Sequence, residues 1–590
     1  MFDKILIANR GEIAVRIISA AKAMGIRTVA VYSEADADAM HVRRADESVC
    51  IGPAPARQSY LDIDAILKAA REFNVDAVHP GYGFLSESPD FAAAVQSSGF
   101  AFIGPTPGLM AIMGNKVSAR SAAIAAGVPV LPGSDGAIES VDDAAGMAES
   151  IGFPVAVKAC HGGGGRGLRV AQDAGALAQA IESAQREALA AFGRSEIFLE
   201  RYLSRPRHVE VQIVGDGMGN VIHLGDRDCT VQRRHQKMIE EAPAPNLPAD
   251  LRSALREAAV ALARSVGFVS AGTVEFLVDA KAQSFFFLEM NTRLQVEHGV
   301  TELVTGVDLV ETQIRIAAGQ PLDLAQGDVV IRGHAIQTRI LAENPWEGFN
   351  PTPGTIDKLT LPQGPWLRCD FGVEAGDAAQ PHYDSLIGKL LAWGKDRETA
   401  IRRLRQAIAI FNAGGIFTTA GYLDRVLAEP EFLDCLHHTG SVEADWYPSS
   451  QDRPDQELVP EEKSEATDRI IERQVRLPGP PQRTIAIFGK EQRSGSSAHQ
   501  ILRRRSEAVE EAQGRNASRG IGSIVSPMDG LLVELRVDNG QEVDEGATLA
   551  ILEAMKMEMV IRAPVSGIVQ EISAQAGQSV KKGQLLLVVE

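Results

Sequence analysis

Phe153-Pro154-Val155-Ala156-Val157-Lys158 is an apolar run ending in a lysine, and it leads into Cys160-His161-Gly162-Gly163-Gly164-Gly165-Arg166-Gly167. A glycine run presents backbone N–H groups that can fold over a polyanion, and the lysine offers a point charge to a phosphate. The pattern is not a P-loop, which would place Gly-Lys-Ser/Thr at the opening of a helix. A second set lies in Ala271-Gly272-Thr273-Val274-Glu275-Phe276-Leu277-Val278 and Ser284-Phe285-Phe286-Phe287-Leu288-Glu289-Met290-Asn291, two strand-like runs around a short polar turn. With that turn centred on Ala282, Glu275 faces Glu289, and the strand period of two puts Asn291 and Arg293 on the side of Glu289. Opposed carboxylates repel, so a cation between them is the natural remedy. Hard oxygen donors suit Mg²⁺ or Mn²⁺ held jointly with nucleotide phosphates. A third candidate is Lys556, between two methionines in Glu553-Ala554-Met555-Lys556-Met557-Glu558-Met559.

Around Lys556 the chain repeats itself at an offset of 37 residues: Pro527 matches Pro564, Gly530 matches Gly567, Gly540-Gln541 matches Gly577-Gln578, Val543 matches Val580, Gly546 matches Gly583 and Leu549 matches Leu586. Each copy alternates short apolar runs with glycine turns, as paired strands do. Two copies predict a small flattened barrel with Lys556 at the tip of the joining hairpin. Singly, a lysine in a turn, four glycines in a loop or two edge carboxylates are ordinary surface features. Their neighbours carry the argument: the repeat around Lys556, and the apolar and aromatic runs around the carboxylates.

The longer motifs carry a resemblance. Strand, lysine, glycine loop and strand resemble the lid of the ATP-grasp fold. Asn291-Thr292-Arg293-Leu294-Gln295-Val296-Glu297-His298, Arg233-Arg234-His235-Gln236-Lys237, Met113-Gly114-Asn115-Lys116, Gly81-Tyr82-Gly83-Phe84-Leu85-Ser86-Glu87 and Tyr383-Asp384-Ser385-Leu386-Ile387-Gly388-Lys389 resemble the biotin carboxylase branch of that family, over about residues 1 to 446. Ala554-Met555-Lys556-Met557 within its repeat resembles the biotinyl domain of biotin-dependent enzymes. On one chain the two resemble the α subunit of bacterial acyl-CoA carboxylases.

That resemblance implies an ATP-dependent ligase that carboxylates a biotin carried on Lys556, with bicarbonate activated as carboxyphosphate. It places Lys116, Lys158 and the loop glycines Gly162, Gly163, Gly164, Gly165 and Gly167 on ATP, Glu200 and Leu203 at the adenine, His208 and Gln232 near the ribose, and His235 close by. Glu275, Glu289 and Asn291 would hold metal, with two Mg²⁺ or Mn²⁺ ions expected. Lys237, Arg293, Gln295 and Val296 would hold bicarbonate, Glu297 would act as its general base, and Arg339 would stabilise the oxyanion that develops on the ureido group. Cys229 reads as a packed thiol. The expected partners are a separate carboxyltransferase β subunit in a hetero-oligomer and a biotin protein ligase. The acceptor would be acetyl-CoA or propionyl-CoA, with pyruvate open and a non-catalytic biotin carrier as the rival reading. Gly299 stands where relatives usually carry proline, Gln337-Thr338 where they carry Glu-Cys, and Thr418-Thr419-Ala420-Gly421 lacks the usual Thr-Asn-x-Pro turn.

These residues need a large scaffold. The chain has 590 residues, 45% hydrophobic and 23% charged, which asks for several cores rather than one. A net charge of −18 argues against nucleic acid as a partner. No run of 18 apolar residues predicts a membrane span, the start does not read as a signal peptide, and Cys50, Cys160, Cys229, Cys369 and Cys435 lack metal spacing, so a cytoplasmic protein with reduced thiols is expected.

The fold class predicted is α/β and α+β multidomain: a Rossmann-like N-terminal α/β domain (1–115), an ATP-grasp domain (116–325) with its lid at about 130–204, and a C-terminal carboxylase domain (326–446). Strand Lys4 to Ala8, helix Glu12 to Met24 and strand Thr28 to Tyr32 would open it. The turn Asn9-Arg10-Gly11-Glu12 has one glycine where a dinucleotide fingerprint wants three. Residues 447–520, rich in proline, glycine, serine and charge, read as a linker with one short ordered, partner-binding piece around Arg483 to Phe488. Wholly flexible, such a linker would span about 50 Å root-mean-square. An all-β biotinyl barrel (521–590) closes the chain.

Overall fold

Early apolar runs alternate with amphipathic helices, and they build a parallel sheet. In the computed structural model, Lys4–Ile7 lies between Arg27–Ser33 and Ala77–His79, with Glu47–Gly52 and Ala101–Phe102 at the edges. The structure describes residues 1–134, 136–138, 141–160, 168–449, 451, 470–477, 483–490, 522–528, 530–555 and 557–590. Contacts divide the chain into Met1–Pro454 and Asp455–Glu590.

The first unit is built around one antiparallel sheet of eight strands. Their order is Ser284–Asn291, Val269–Asp279, Arg207–Asp216, Val221–Arg233, Gln236–Ala242, His334–Leu341, Leu386–Gly394 and Leu367–Phe371. Helix Ala249–Ser265 buries Leu251, Leu255, Ala259 and Leu262 against Val209, Val211 and Ile213 of this sheet. On another face, helix Gly11–Ala23 joins Ile13 and Ile17 to Val214, Ile222, Leu309 and Ile314. The expected boundary at 325/326 falls inside the layer, because Gln236–Ala242 pairs directly with His334–Leu341. A smaller three-stranded sheet, Arg169–Ala171, Val155–Ala159 and Ile197–Arg201, has a core of its own in which Val155, Val157 and Leu199 meet Ala144, Ile181 and Ala184.

The second unit holds a hairpin, Ile470–Leu477 with Arg483–Lys490, and two four-stranded sheets over residues 523–589. The repeat becomes an approximate twofold. Gly540 N–H donates to Val569 O and Gly577 N–H to Leu532 O, both at 2.7 Å. A Cβ on Gly530 would come 2.7 Å from Glu553 O, and one on Gly567 2.7 Å from Glu590 O, so both copies need glycine at that close approach. Leu549 and Leu586 are both fully buried. Ala554 pairs with Met557, and Met555 has φ +50°; Lys556 lies outside the described residues.

Candidate active site

Strand register assembles the charges. Arg227 pairs with Glu210, Glu210 with Glu275, and Glu275 with Glu289, a row across four neighbouring strands. Three adjacent carboxylates repel unless cations intervene. Two are supplied. The fully buried Arg227 donates through Nε to Glu210 Oε1 at 2.5 Å, and through its other nitrogens to Gln212, Thr301 and Thr273 at 2.7, 2.9 and 3.0 Å. Lys237 reaches in from the neighbouring hairpin. Arg233 pairs with Gln236, so Arg234 and His235 alone make the turn, both with positive φ (47° and 65°), and Lys237 is the second residue of the returning strand, opposite Gln232. Its ammonium donates to Glu210 Oε2 at 2.6 Å, Glu275 Oε1 at 2.8 Å and Glu297 Oε1 at 2.8 Å. All three of its protons are thereby used.

The Glu275–Glu289 pairing is the one expected, reached by a different route. The turn half of the hairpin is centred half a residue early, pairing Asp279 with Ser284 and Phe276 with Phe287. A bulge that leaves Leu288 unpaired then restores the register, so that Glu275 faces Glu289 and Thr273 faces Asn291.

Glu297 is fully buried and gripped on both oxygens, by Lys237 on Oε1 and by Arg339 Nη2 on Oε2 at 3.0 Å. Burial alone would raise its pKa. Lys237, Arg339 and Arg227 outweigh burial and the repulsion of Glu210, and hold the carboxyl below its usual range. The ammonium of Lys237, opposed by burial but drawn by Glu210, Glu275 and Glu297, has its pKa raised well above normal. A carboxylate held charged in this way can accept a proton from a small oxyacid placed against it. The neighbouring thiol is held in its protonated form: burial, then repulsion from Glu210 and Glu297, pushes Cys229 well above its usual pKa against the pull of Lys237.

Arg293 is held by Glu87 at 3.0 Å and by Gln295 Oε1 at 2.9 Å. Gln295 Nε2 donates to Glu275 Oε1 at 3.3 Å. The Val296 carbonyl accepts from Lys389 Nζ at 2.9 Å, and Lys389 in turn pairs with Glu12 at 2.7 Å. Lys237, Arg293, Gln295, Glu297 and Arg339 thus belong to one continuous network, and Val296 is held beside it by Lys389.

The other end of the row is poorer in positive charge. Burial and the neighbouring Glu275 raise the Glu289 carboxyl, with Lys116 pulling the other way. Lys116 opens helix Lys116–Ala125 behind an Asn115 cap. Burial lowers its pKa despite Glu289 and Glu200, and Lys158 adds repulsion. Lys158 donates to Glu200 across neighbouring strands. His208 Nε2 lies 2.8 Å from Glu275 Oε2, and so sits at the charged row rather than apart from it. Gln232 is buried and donates to Cys229 O at 3.4 Å. Leu203 is half-buried just beyond Ile197–Arg201, and His235 is exposed at its hairpin tip. Gly162, Gly163, Gly164, Gly165 and Gly167 lie outside the described residues.

Two donor sets converge within 4.8 Å: His208, Glu210 and Glu275, and Glu210, Cys229 and Glu297. Lys237 already supplies a cation to both. Glu289 is the better metal candidate: a raised carboxyl directly opposite Glu275, with Asn291 donating to Glu275 at 2.8 Å. Hard oxygens short of one cation fit Mg²⁺ or Mn²⁺ shared with phosphates.

Three residues were missed in the sequence, Glu210, Arg227 and Glu240, while Glu87 stood in the motif at 81–87 without a role until its pairing with Arg293. Glu240 takes Arg339 Nε at 2.5 Å. The signal for Glu210 was present, since His208, Glu210 and Gln212 alternate with apolar residues, but such a face normally reads as solvent-exposed.

Known proteins resemble this chain in sequence and fold. Residues 1–110 match the family described as Biotin carboxylase, N-terminal domain, 115–325 the Carbamoyl-phosphate synthase L chain, ATP binding domain, 337–444 the Biotin carboxylase C-terminal domain, and 522–589 the Biotin-requiring enzyme family. A biotin carboxylase of Nostoc sp. is 51% identical over 432 residues, covering 73% of this chain and 96% of that protein. The chain belongs to the biotin-dependent carboxylases. The carboxylase and a biotin-requiring carrier domain occupy one polypeptide, and its enzyme half is an ATP-dependent ligase. The mitochondrial methylcrotonoyl-CoA carboxylase subunit alpha of Arabidopsis thaliana is 39% identical over 670 residues, covering 95% of this carboxylase and 91% of the relative. Among solved structures, the biotin carboxylase domain dimer of the Hydrogenobacter thermophilus 2-oxoglutarate carboxylase, in complex with MgADP, ADP and bicarbonate, has a TM-score of 0.73 and 44% identity over 75% of this chain and 97% of that one. No helix among the described residues is long and apolar enough to cross a membrane.

Proposed function

We propose that the carboxylase activates bicarbonate with ATP and transfers its carboxyl group to biotin on Lys556, for delivery by a separate carboxyltransferase subunit to an acyl-CoA. The observation that carries the reading is Glu297, charged and held on both oxygens by Lys237 and Arg339. Bicarbonate lies between Arg293, Gln295, the Val296 backbone and Lys237. Glu297 takes its proton as an oxygen of bicarbonate attacks the γ-phosphorus. The P–O bond to ADP breaks and carboxyphosphate forms. Its breakdown to CO₂ and phosphate beside biotin leaves the phosphate to take the ureido proton, and Arg339 faces the oxygen on which charge develops. Lys116, Lys158, Glu200, Leu203, His208, Gln232, His235 and the glycines of 162–167 surround the nucleotide. Glu275, Glu289 and Asn291 would hold Mg²⁺ or Mn²⁺, which neutralises phosphate charge during transfer.

The carboxyltransferase partner and the acyl-CoA class are supported by the full-length likeness to the Arabidopsis methylcrotonoyl-CoA carboxylase subunit alpha. A biotin protein ligase would load Lys556, and the domain limits predicted from sequence complete the reading. The test follows labelled bicarbonate with MgATP onto the biotinylated chain and then onto a panel of acyl-CoAs in the presence of the partner. Label on biotin and on one acyl-CoA supports it; no label on a biotinylated, folded chain overturns it. Lys556→Arg should abolish biotin incorporation, and a labelled variant would move the attachment elsewhere.

A further inference from the structure

Gln337 and Arg339 lie two apart on strand His334–Leu341, and Gln337 is paired directly with Glu240 on Gln236–Ala242. Glu240 is fully buried and accepts twice. Gln337 Nε2 donates to Oε2 at 3.0 Å, and Arg339 Nε donates to Oε1 at 2.5 Å. Arg339 then reaches Glu297 Oε2 at 3.0 Å through Nη2, so its plane is fixed from both sides. Two points on a planar fork fix both the position and the tilt of a guanidinium. Gln337 Oε1 is buried and accepts no hydrogen bond among the described residues, so Glu240 alone sets the orientation of the amide. Gly299 adjoins this group: a Cβ there would come 2.6 Å from Leu391 Cδ2 and 3.7 Å from Gln337 Oε1. The close approach is to Leu391; toward the Gln337 amide a Cβ at position 299 would make only ordinary van der Waals contact.

We propose that Gln337 is a positioning residue for Arg339, acting through Glu240, and that an amide at this position keeps the hold on Arg339 independent of pH. The proposal rests on the reading that Arg339 faces the ureido group of biotin. Glu240 is faced by Arg339 and Gln337 from its neighbouring strand, by Glu297 from the segment before His298–Thr305, and by Cys229 from Val221–Arg233. Burial, opposed by Arg339 and reinforced by Glu297, already raises Glu240. A carboxylate in place of the amide would add a third acid to Glu240 and Glu297. Two of them would share a proton, and the donor to Glu240 would vanish when that proton left.

The test compares wild type, Gln337→Met and Gln337→Glu in the full chain, with kcat and KM for biotin in solution, KM for MgATP, and the pH profile of each. Gln337→Met keeps the volume and loses the donor; kcat/KM for biotin should fall roughly tenfold, with KM for MgATP unchanged. Gln337→Glu should approach wild type at the acid end of the profile and drift toward the Met variant as pH rises. Wild-type kcat/KM in Gln337→Met would overturn the proposal. So would a Gln337→Glu profile that superimposes on wild type, even if Gln337→Met proves unfolded. A wild-type chain that cannot carboxylate biotin at all would overturn the functional reading and this proposal with it; active wild type with indifferent variants removes only the positioning role.

Discussion

The two ends of the charged row differ in their balance. Around Lys237, three carboxylates meet one ammonium, Arg227 and Arg339 stand behind, and the carboxyls of Glu210, Glu275 and Glu297 are all held below their usual range against burial. Around Glu289, burial and a like charge raise the carboxyl, while Lys116 is lowered by its own burial. The first end is organised before any ligand arrives. The second pairs a raised carboxyl with a lowered ammonium, a balance that phosphates with their metal would correct. On the proposed reading, the difference separates a preformed proton acceptor from a site that spends binding energy on assembling itself.

The largest way to break the contrast is Glu297→Gln. Loss of a positioned base should lower bicarbonate-dependent ATP hydrolysis by about 10²–10⁴-fold, with nucleotide binding intact by calorimetry; near-wild-type turnover would remove Glu297 from the role. Lys237→Met comes next. Three buried carboxylates left without their shared cation should cost about 3–5 kcal/mol in denaturant unfolding. The pH sign is fixed by the depressed carboxyls. Their stabilisation is present above the unfolded value, near 4.3, and is lost as pH falls below it. The acid-side drop in melting temperature should therefore be shallower in Lys237→Met than in wild type.

Third, the nucleotide end should respond to its ligand. MgATP at a hundredfold excess over its dissociation constant should add about 2.7 kcal/mol in thermal unfolding, and ATP with a chelator clearly less. The smallest effect sharpens the comparison most. Glu289→Gln should stabilise the ligand-free protein by up to about 1 kcal/mol, since it relieves a like-charge pair, while it weakens the MgATP response. A destabilised Glu289→Gln apo protein would contradict the charge balance described.

How legible these regions were follows from the range of the signal. The biotinyl repeat announces itself because its period lies along the chain, and the paired glycines at 530 and 567 meet the same constraint twice. The opposition of Glu275 and Glu289 was readable from alternation, but the bulge at Leu288 was not, since nothing in Phe285-Phe286-Phe287-Leu288 marks one residue as extra. Glu210 and Arg227 were hidden because a polar face on a strand signals solvent, and here it lines a buried site. Glu240 was hidden by the same rule, and only its pairing with Gln337, almost a hundred residues on, gives it meaning. Of the linker, an ordered piece was anticipated around Arg483 to Phe488, where strand Arg483–Lys490 lies, but its partner Ile470–Leu477 was not.

The run of paired strands from Ser284–Asn291 to Leu367–Phe371 also limits how this enzyme can be cut or recombined. A chain stopped after residue 325 would leave Gln236–Ala242 as a bare rim of donors and acceptors, an invitation to self-association. A graft of the part after residue 325 from a relative would have to bring Thr338 opposite Ile239 and Gln337 opposite Glu240, because a slip of one residue would turn Arg339 to the other face. Sequence families divide this polypeptide at a point where its hydrogen bonds do not, so exchange of parts here is governed by strand alignment rather than by domain borders.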